Sequence, residues 1–137
     1  MAAKYKEIIK GIYASLAIIL VAPLSLFRPI ITGFRFFLRS VYSQWKRLEM
    51  KESSFDIIIS YPIELNGGKN IKCGKDVFLG ANGDLSAWNS YKGKTYTPCI
   101  EIGDDVTIRA NFHISAIGQI KIGNHVLTGN GVTIVDN

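Results

Sequence analysis

Two histidines are the side chains of this sequence best suited to exchange a proton near neutral pH. His113 lies in "RANFHIS" and His125 lies in "GNHV". A neutral imidazole within hydrogen-bond reach of a hydroxyl can take its proton, so His113, at a position predicted to face outward, is a candidate general base. His125 is better interpreted as a solvent-exposed turn residue.

Metal chemistry has few ligands available here. Catalytic zinc needs three protein ligands and an open position, whereas the sequence offers two histidines and two cysteines, Cys73 and Cys99, without metal-like or redox-like spacing. The phosphate-binding pattern G-x-x-x-x-G-K-[ST] does not occur in the sequence. We therefore expect no metal, and we interpret Cys73 as a small core residue in a reducing compartment.

The element that must position these side chains is a six-residue repeat. Its first inward positions recur every six residues, with one slip of two: Ile102, Ile108, Ile114, Ile122, Thr128 and Ile134. Each unit predicts a short strand and a corner, and stacked units form a parallel β-helix. An antiparallel meander would alternate apolar residues too, but it would not keep the strict period of six. Gly103 and Gly123 follow inward positions and predict corners with unusual backbone angles.

An earlier coil extends the repeat upstream, in "IKCGKDVFLGANG". Cys73 and Ile102 are 29 residues apart, whereas a coil takes about 18–20 residues, so about ten residues must loop out between them. These belong to "DLSAWNSYKGKTYTP", in which Trp88, Tyr91 and Tyr96 are candidates for stacking on a sugar. The alternative is that the aromatics only pin the loop to the wall of the repeat.

Charge divides the chain into two predicted domains. Residues 1–51 hold nine Lys or Arg against two Glu, and residues 52–137 hold seven against nine acidic residues. The basic part is also apolar, which favours a membrane surface as partner over nucleic acid. Aromatic and arginine residues interleave over 34–39, but no nucleic-acid-binding motif accompanies them. We predict an N-terminal helical segment, 1–51, and a β domain, 52–137.

The uncharged run from Gly11 to Phe27 is the core of the N-terminal segment. Its seventeen residues are short for a spanning helix, which needs about twenty. Pro23 and Pro29 are expected to kink or interrupt helices, which suits an interfacial segment as well as a tilted span. A signal peptide and a soluble helical cap are the alternatives. The basic residues after the run place the following domain on the cytoplasmic side of the cell membrane.

The stretch "IGDDVTIRANFHISAIGQIKIGNHVLTGNGVTIVDN" resembles the hexapeptide-repeat acyltransferases of left-handed parallel β-helix fold. The resemblance covers residues 55–137 and is closest to the O-acetyltransferases of capsular and surface-polysaccharide assembly. It implies a mainly β fold and a homotrimer with active sites between neighbouring subunits. It also implies acetyl-CoA as co-substrate and a glycan or glycolipid hydroxyl as acceptor.

The same resemblance implies a position for the catalytic base, near the end of the sequence. In the family, the phrase corresponding to "GVTIVDN" is followed by a histidine and a glycine, and that histidine is the catalytic base, expected here beyond Asn137. Asp136 would then orient the base or contact the acceptor, although a turn aspartate explains it as well. Trp88, Asn111, Asn130 and Asn137 are the candidates for substrate contact, and both Asn111 and Asn130 also suit corners.

The sequence therefore predicts an acetyl-CoA-dependent O-acyltransferase at the cytoplasmic membrane face. Its acceptor would be a hydroxyl of a surface-polysaccharide precursor. The alternative is a non-catalytic, membrane-tethered β-helix that serves as an assembly scaffold, which an absent histidine would permit. The unfinished repeat at Asn137 favours the front part of a longer enzyme over a naturally short protein.

Overall fold

Two helices precede the strands. The computed structural model describes residues 2–136, apart from the side chains of residues 2–5, 8, 20, 23 and 24. The helices are α1 (Ala2–Ser25) and α2 (Arg28–Arg47). Among the residues so described, neither helix is long and apolar enough to cross a bilayer.

The break between α1 and α2 falls where the prolines predict it. Helix α1 ends shortly after Pro23. Pro29 occupies the first turn of α2, where its missing N–H costs no helical hydrogen bond and its fixed φ suits the helix. The predicted interruption of the helices is therefore observed.

Short strands make up the rest of the chain, with one 3-10 turn at Gly68–Asn70. In chain order they are β1 (Glu52–Ser53), β2 (Ile58–Ile59), β3 (Ile63–Asn66), β4 (Ile71–Cys73), β5 (Phe78–Leu79), β6 (Gly83–Ala87), β7 (Ser90–Tyr91), β8 (Lys94–Thr95), β9 (Cys99–Ile102), β10 (Thr107–Ile108), β11 (His113–Ala116), β12 (Gln119–Ile122) and β13 (Thr133–Asp136).

Three parallel sheets contain all of these strands except the antiparallel hairpin β7–β8. The first sheet has the order β1-β4-β9-β12, the second β10-β5-β2 and the third β13-β11-β6-β3. Along the chain, strands enter the first, second and third sheets in turn and then return to the first. A parallel bridge between Thr107 and Leu127 continues the second sheet. Parallel pairing in all three sheets excludes the antiparallel meander.

One apolar cluster is formed by the inward side chains of the strands. Ile71, Ile100 and Ile120 pair in register across the first sheet, and all three are buried. Five side chains predicted to lie in the core are buried in this cluster: Cys73, Ile102, Ile108, Ile114 and Ile122. The cluster also contains Val77, Leu79, Val106 and Phe112. The last coil is less covered, since Val126, Val132 and Ile134 are only partly buried.

The corners differ from the prediction in one respect. The expectation of unusual backbone angles at Gly103 and Gly123 is wrong, because positive φ falls on other corner residues: Asp76, Asn82, Asp105, Asn111, His125 and Gly131. Gly103 is instead a position of close approach, where a Cβ atom would lie 2.8 Å from the Gly123 backbone. Its role is to let successive coils stack.

The chain divides into two compact units, one up to Phe37 and the other from Leu38 onward. This division lies upstream of the boundary between residues 51 and 52 predicted from charge. The end of α2 belongs to the second unit because the Ser43 hydroxyl accepts a hydrogen bond from the Ile59 amide at 2.8 Å. Ser43 is buried, so the end of α2 packs with the strands.

The two free thiols of the chain differ in environment. Cys73 is buried, and desolvation raises the pKa of its thiol to about 12; Cys99 is half-buried. Since the thiolate is the reactive form, we expect iodoacetamide to modify Cys99 alone in the folded protein and both thiols in guanidinium. Peptide mass spectrometry measures both sites. Equal rates at Cys73 and Cys99 in the folded protein would contradict this environment.

Candidate functional site

A histidine and a carboxylate meet on the outer face of the third sheet. His113 opens β11 and lies in register with Asp84 of β6. The Nδ1 atom of His113 is 2.8 Å from Oδ2 of Asp84, with the side chains 46% and 30% exposed. Because side chains alternate along a strand, His113 points outward while Ile114 is buried in the core. The predicted outward position of His113 is therefore observed.

This contact selects the tautomer of the neutral His113 imidazole. An ionised carboxylate accepts hydrogen bonds and donates none, so Nδ1 carries the hydrogen directed at Asp84. In the neutral ring the other nitrogen, Nε2, then has the free lone pair. An Nε2 lone pair on a partly exposed ring is what a general base presents to an incoming hydroxyl.

Two further polar side chains hold Asp84 in place. The Ser86 hydroxyl donates to Oδ1 of Asp84, so both carboxylate oxygens have partners. Ser86 in turn accepts a hydrogen bond from Nδ2 of Asn66 at 3.2 Å. Ser86 is fully buried, and a satisfied buried hydroxyl has little freedom to turn away. The chain Asn66–Ser86–Asp84 therefore fixes the orientation of the His113 ring.

A half-open cleft of about 770 Å³ lies between the hairpin β7–β8 and the third sheet. Aromatic and polar side chains line it, together with Ile117: Trp88, Ser90, Tyr91, Lys92, Tyr96 and Ser115. The Lys92 ammonium lies 5.2 Å from the centre of the Tyr91 ring. Aromatic faces combined with a few hydroxyls and one cation suit a polar ring compound such as a sugar.

His113 is not among the residues that line the cleft, but it lies two residues along β11 from Ser115, which is. Ser115 is the next outward residue after His113 on β11, about 7 Å further along the strand. The Trp88 indole N–H donates to the Ser115 hydroxyl at 3.1 Å. Trp88 thus pins the inserted segment to the sheet, as the alternative interpretation has it, and 46% of its surface stays exposed at the cleft. Stacking on a sugar stays a prediction.

The inserted segment lies within the stretch that the sequence predicted for it. Residues 84–87, the first letters of "DLSAWNSYKGKTYTP", belong to strand β6 and pair with β11. The excursion is the hairpin β7–β8 with its flanking residues. Successive coils are accordingly 29 residues apart across it, as between Lys75 and Asp104, and 20 apart after it, as between Asp104 and Asn124.

A second histidine–carboxylate pair provides a comparison within the same chain. Nδ1 of His125 lies 2.9 Å from Oδ2 of Asp105, and the side chains are 77% and 69% exposed. Both residues have positive φ at the corner between the first and second sheets. His125 is thus a solvent-exposed turn residue, as predicted.

The other predicted site residues are dispersed. Asp136 is in register with Ala116, at the opposite end of β11 from His113, and a Cβ atom on Gly118 would be 2.6 Å from the Asp136 carboxylate. The structure does not bring Asp136 and His113 together. Asn130 is exposed in the turn before Gly131. Asn137 lies outside the described residues.

Asn111 serves the corner between the second and third sheets. Its φ is 61°, its amide N–H donates to the Ala81 carbonyl at 2.9 Å, and its side chain accepts from Asn82 at 3.2 Å. This placement agrees with the corner interpretation of Asn111. Nothing in its contacts directs the side chain to the cleft.

A pair of substitutions tests the corner role of Asn111. We expect Asn111→Ala to lower the free energy of unfolding by about 1–2 kcal/mol, because alanine disfavours positive φ and loses the bond to Asn82. Asn111→Gly should cost less, since glycine adopts this conformation freely. Denaturant unfolding followed by circular dichroism measures both. An alanine variant as stable as the glycine variant would contradict the role.

Asp84, Ser86, Asn66 and Ser115 were not anticipated from the sequence. The signal that could have found Asp84 is the 29-residue offset between Cys73 and Ile102, since the same offset separates Asp84 from His113.

Within residues 2–136, no group of three or more His, Cys, Asp or Glu side chains is arranged to hold a metal ion. Compared with known proteins, the chain matched no family model, no curated protein and no solved structure.

Proposed function

We propose that this chain is an O-acyltransferase that moves an acyl group from acyl-CoA, in the first instance acetyl-CoA, to a hydroxyl of a glycan. The observation that carries the proposal is the His113–Asp84 pair, whose carboxylate is held by Ser86 and which lies two residues along β11 from Ser115 at the aromatic cleft. A general base beside a binding cleft for polar ring compounds is the machinery that acylation of a sugar hydroxyl needs.

We further propose that the three sheets are the walls of a left-handed parallel β-helix. The cyclic order in which the chain enters the sheets supports this fold. So does the near-constant coil of 20 residues between stacked positions such as Asp104 and Asn124. The resemblance of the repeat to hexapeptide acyltransferases links the fold to the reaction, and with it we propose the homotrimer typical of that family.

The proposed reaction needs one proton carrier. Nε2 of His113 removes the proton of the acceptor hydroxyl while its oxygen attacks the thioester carbonyl carbon. A tetrahedral oxyanion forms and collapses, the carbon–sulfur bond breaks, and the thiolate of CoA leaves. The imidazolium returns the proton to the thiolate, so the products are the O-acyl ester and CoA thiol. Asp84 stabilises the transient positive charge on the ring.

Acyl transfer itself is the first test. The purified full-length chain, [1-14C]acetyl-CoA and a panel of mono- and oligosaccharides are incubated together, and ester products are identified by mass spectrometry. We expect base-labile acetyl esters that require the protein. If the protein bound acetyl-CoA but acylated none of a broad glycan panel, the non-catalytic scaffold would be the better account.

Trp88 provides a test of the cleft. We expect Trp88→Ala to raise the KM for the acceptor about tenfold, which corresponds to about 1.4 kcal/mol of lost binding, with a smaller effect on kcat. The reason is that the Trp88 ring lines the cleft, whereas the proposed base, His113, is not among the lining residues. Phe55→Ala is the matched control, because Phe55 is an exposed aromatic away from the cleft. An unchanged acceptor KM in Trp88→Ala would contradict the proposal that the cleft binds the acceptor.

A further inference from the structure

Helix α2 presents a continuous apolar face to the outside. Five large side chains recur along it at intervals of three or four residues: Ile30 65%, Phe34 59%, Phe37 60%, Val41 51% and Trp45 59% exposed. This spacing places them on one side of a helix. The helix has 20 residues, so it is about 30 Å long. Exposed apolar surface of this extent marks a contact with something other than water.

The opposite face is basic and polar. It carries residues at the complementary positions of the same period: Arg28, Thr32, Arg35, Arg39, Ser43 and Lys46. Ser43 on this face is buried, where its hydroxyl contacts the Ile59 backbone at 2.8 Å. Within the unit from Leu38 onward, the packed side of the helix is therefore the side away from Val41 and Trp45.

We propose that α2 lies in the plane of an anionic lipid bilayer, with the face Ile30–Phe34–Phe37–Val41–Trp45 in the boundary between headgroups and acyl chains. A helix that is basic on one face and rich in Phe, Trp and aliphatic residues on the other binds in this way. Charge complementarity decides the occupant, because residues 1–51 carry nine basic side chains against two acidic ones. Basic residues near an anionic surface strengthen binding to it.

The uncharged run 11–27 directly precedes this helix in the chain and adds apolar residues. Ile12, Tyr13, Ile18 and Ile19 of that run are also more than half exposed. Pairing of this face with the same face of a second copy is disfavoured, because each N-terminal segment carries the same positive charge. The proposal goes beyond acyl transfer and holds or fails independently of it.

Vesicle sedimentation with the full chain tests the proposal. The probes are vesicles of phosphatidylcholine alone and of phosphatidylcholine with phosphatidylglycerol. We expect at least tenfold stronger binding to the anionic vesicles, weakened by salt. The variant Phe34→Glu/Phe37→Glu should bind these at least tenfold more weakly than the unmodified chain.

A matched variant controls for the change of charge. Phe55→Glu/Leu127→Glu replaces two large apolar side chains that are 76% and 72% exposed in the strand unit, and it should bind like the unmodified chain. Circular dichroism verifies that the helix content of both variants is unchanged. Equal binding by the two double variants would overturn the assignment of the α2 face.

Tryptophan fluorescence supplies a readout at the proposed face. In Trp88→Phe, Trp45 is the remaining tryptophan of the two in the chain. Its emission should shift to shorter wavelength on anionic vesicles and be quenched by brominated acyl chains. Sedimentation equilibrium without lipid reports self-association. A dimer that shields Trp45 in solution, together with no quenching by brominated lipid, would assign the face to a second copy and overturn the proposal.

Discussion

Replacing His113 with asparagine is expected to lower the rate of acyl transfer by about 10²–10⁴-fold, the usual contribution of a general base. Asparagine is close in size and can still donate to Asp84 at the position of Nδ1, which lies 2.8 Å from the carboxylate. It has no basic nitrogen in place of Nε2. The loss should therefore appear in kcat, with little change in the binding of acetyl-CoA.

The chain contains its own control for this experiment. His125→Asn removes a histidine that has the same Nδ1–carboxylate contact, at 2.9 Å, but lies at an exposed corner. We expect this variant to keep the full transfer rate. If His125→Asn lost activity as His113→Asn did, or if His113→Asn stayed active, the proposed base would be wrong.

Replacing Phe112 with alanine is expected to lower the free energy of unfolding by about 3–5 kcal/mol. The Phe112 ring is 2% exposed and fills the space in front of Gly83, where even a Cβ atom would overlap it. A large cavity would remain, because stacked strands cannot move together to fill it. Phe112 also directly precedes His113, so its packing supports the start of β11.

Guanidinium unfolding followed by circular dichroism measures this loss. Phe55→Ala removes the same ring from a side chain that is 76% exposed, and its effect should stay within about 0.5 kcal/mol. Phe112→Leu, with an expected loss of about 1–3 kcal/mol, keeps the comparison measurable if the alanine variant does not fold. Equal midpoints for Phe112→Leu and Phe55→Ala would contradict the packing described.

The period of six was sufficient to predict the strands and most of the core. A side chain such as Ile108 or Ile114 is inward because alternation along a strand and stacking between coils both require it. The same logic located the inserted segment, since 29 residues between Cys73 and Ile102 exceed one coil. These features depend on local pattern and counting, which a sequence carries directly.

Other features depend on details that the pattern leaves open. The contact of Asp84 with His113 requires knowing that the insertion begins after Ala87, because a shift of one residue would turn Asp84 inward. Positive φ falls on Asp105 and His125, each two residues after the glycine, Gly103 or Gly123, at which the sequence predicted it. The packing of Ser43 against Ile59 joins a helix to a strand through one hydroxyl. A single bond of this kind cannot be predicted from the periodicity of the sequence.

The interaction between Asp84 and His113 is the most direct test of the account. Transfer rates are measured for Asp84→Asn, His113→Asn and the double variant, with His125→Asn beside them. If Asp84 acts through His113, Asp84→Asn slows transfer by about tenfold to a hundredfold, and the double variant is no slower than His113→Asn alone. Independent losses that multiply in the double variant, or full activity in Asp84→Asn, would contradict the proposed catalytic pair.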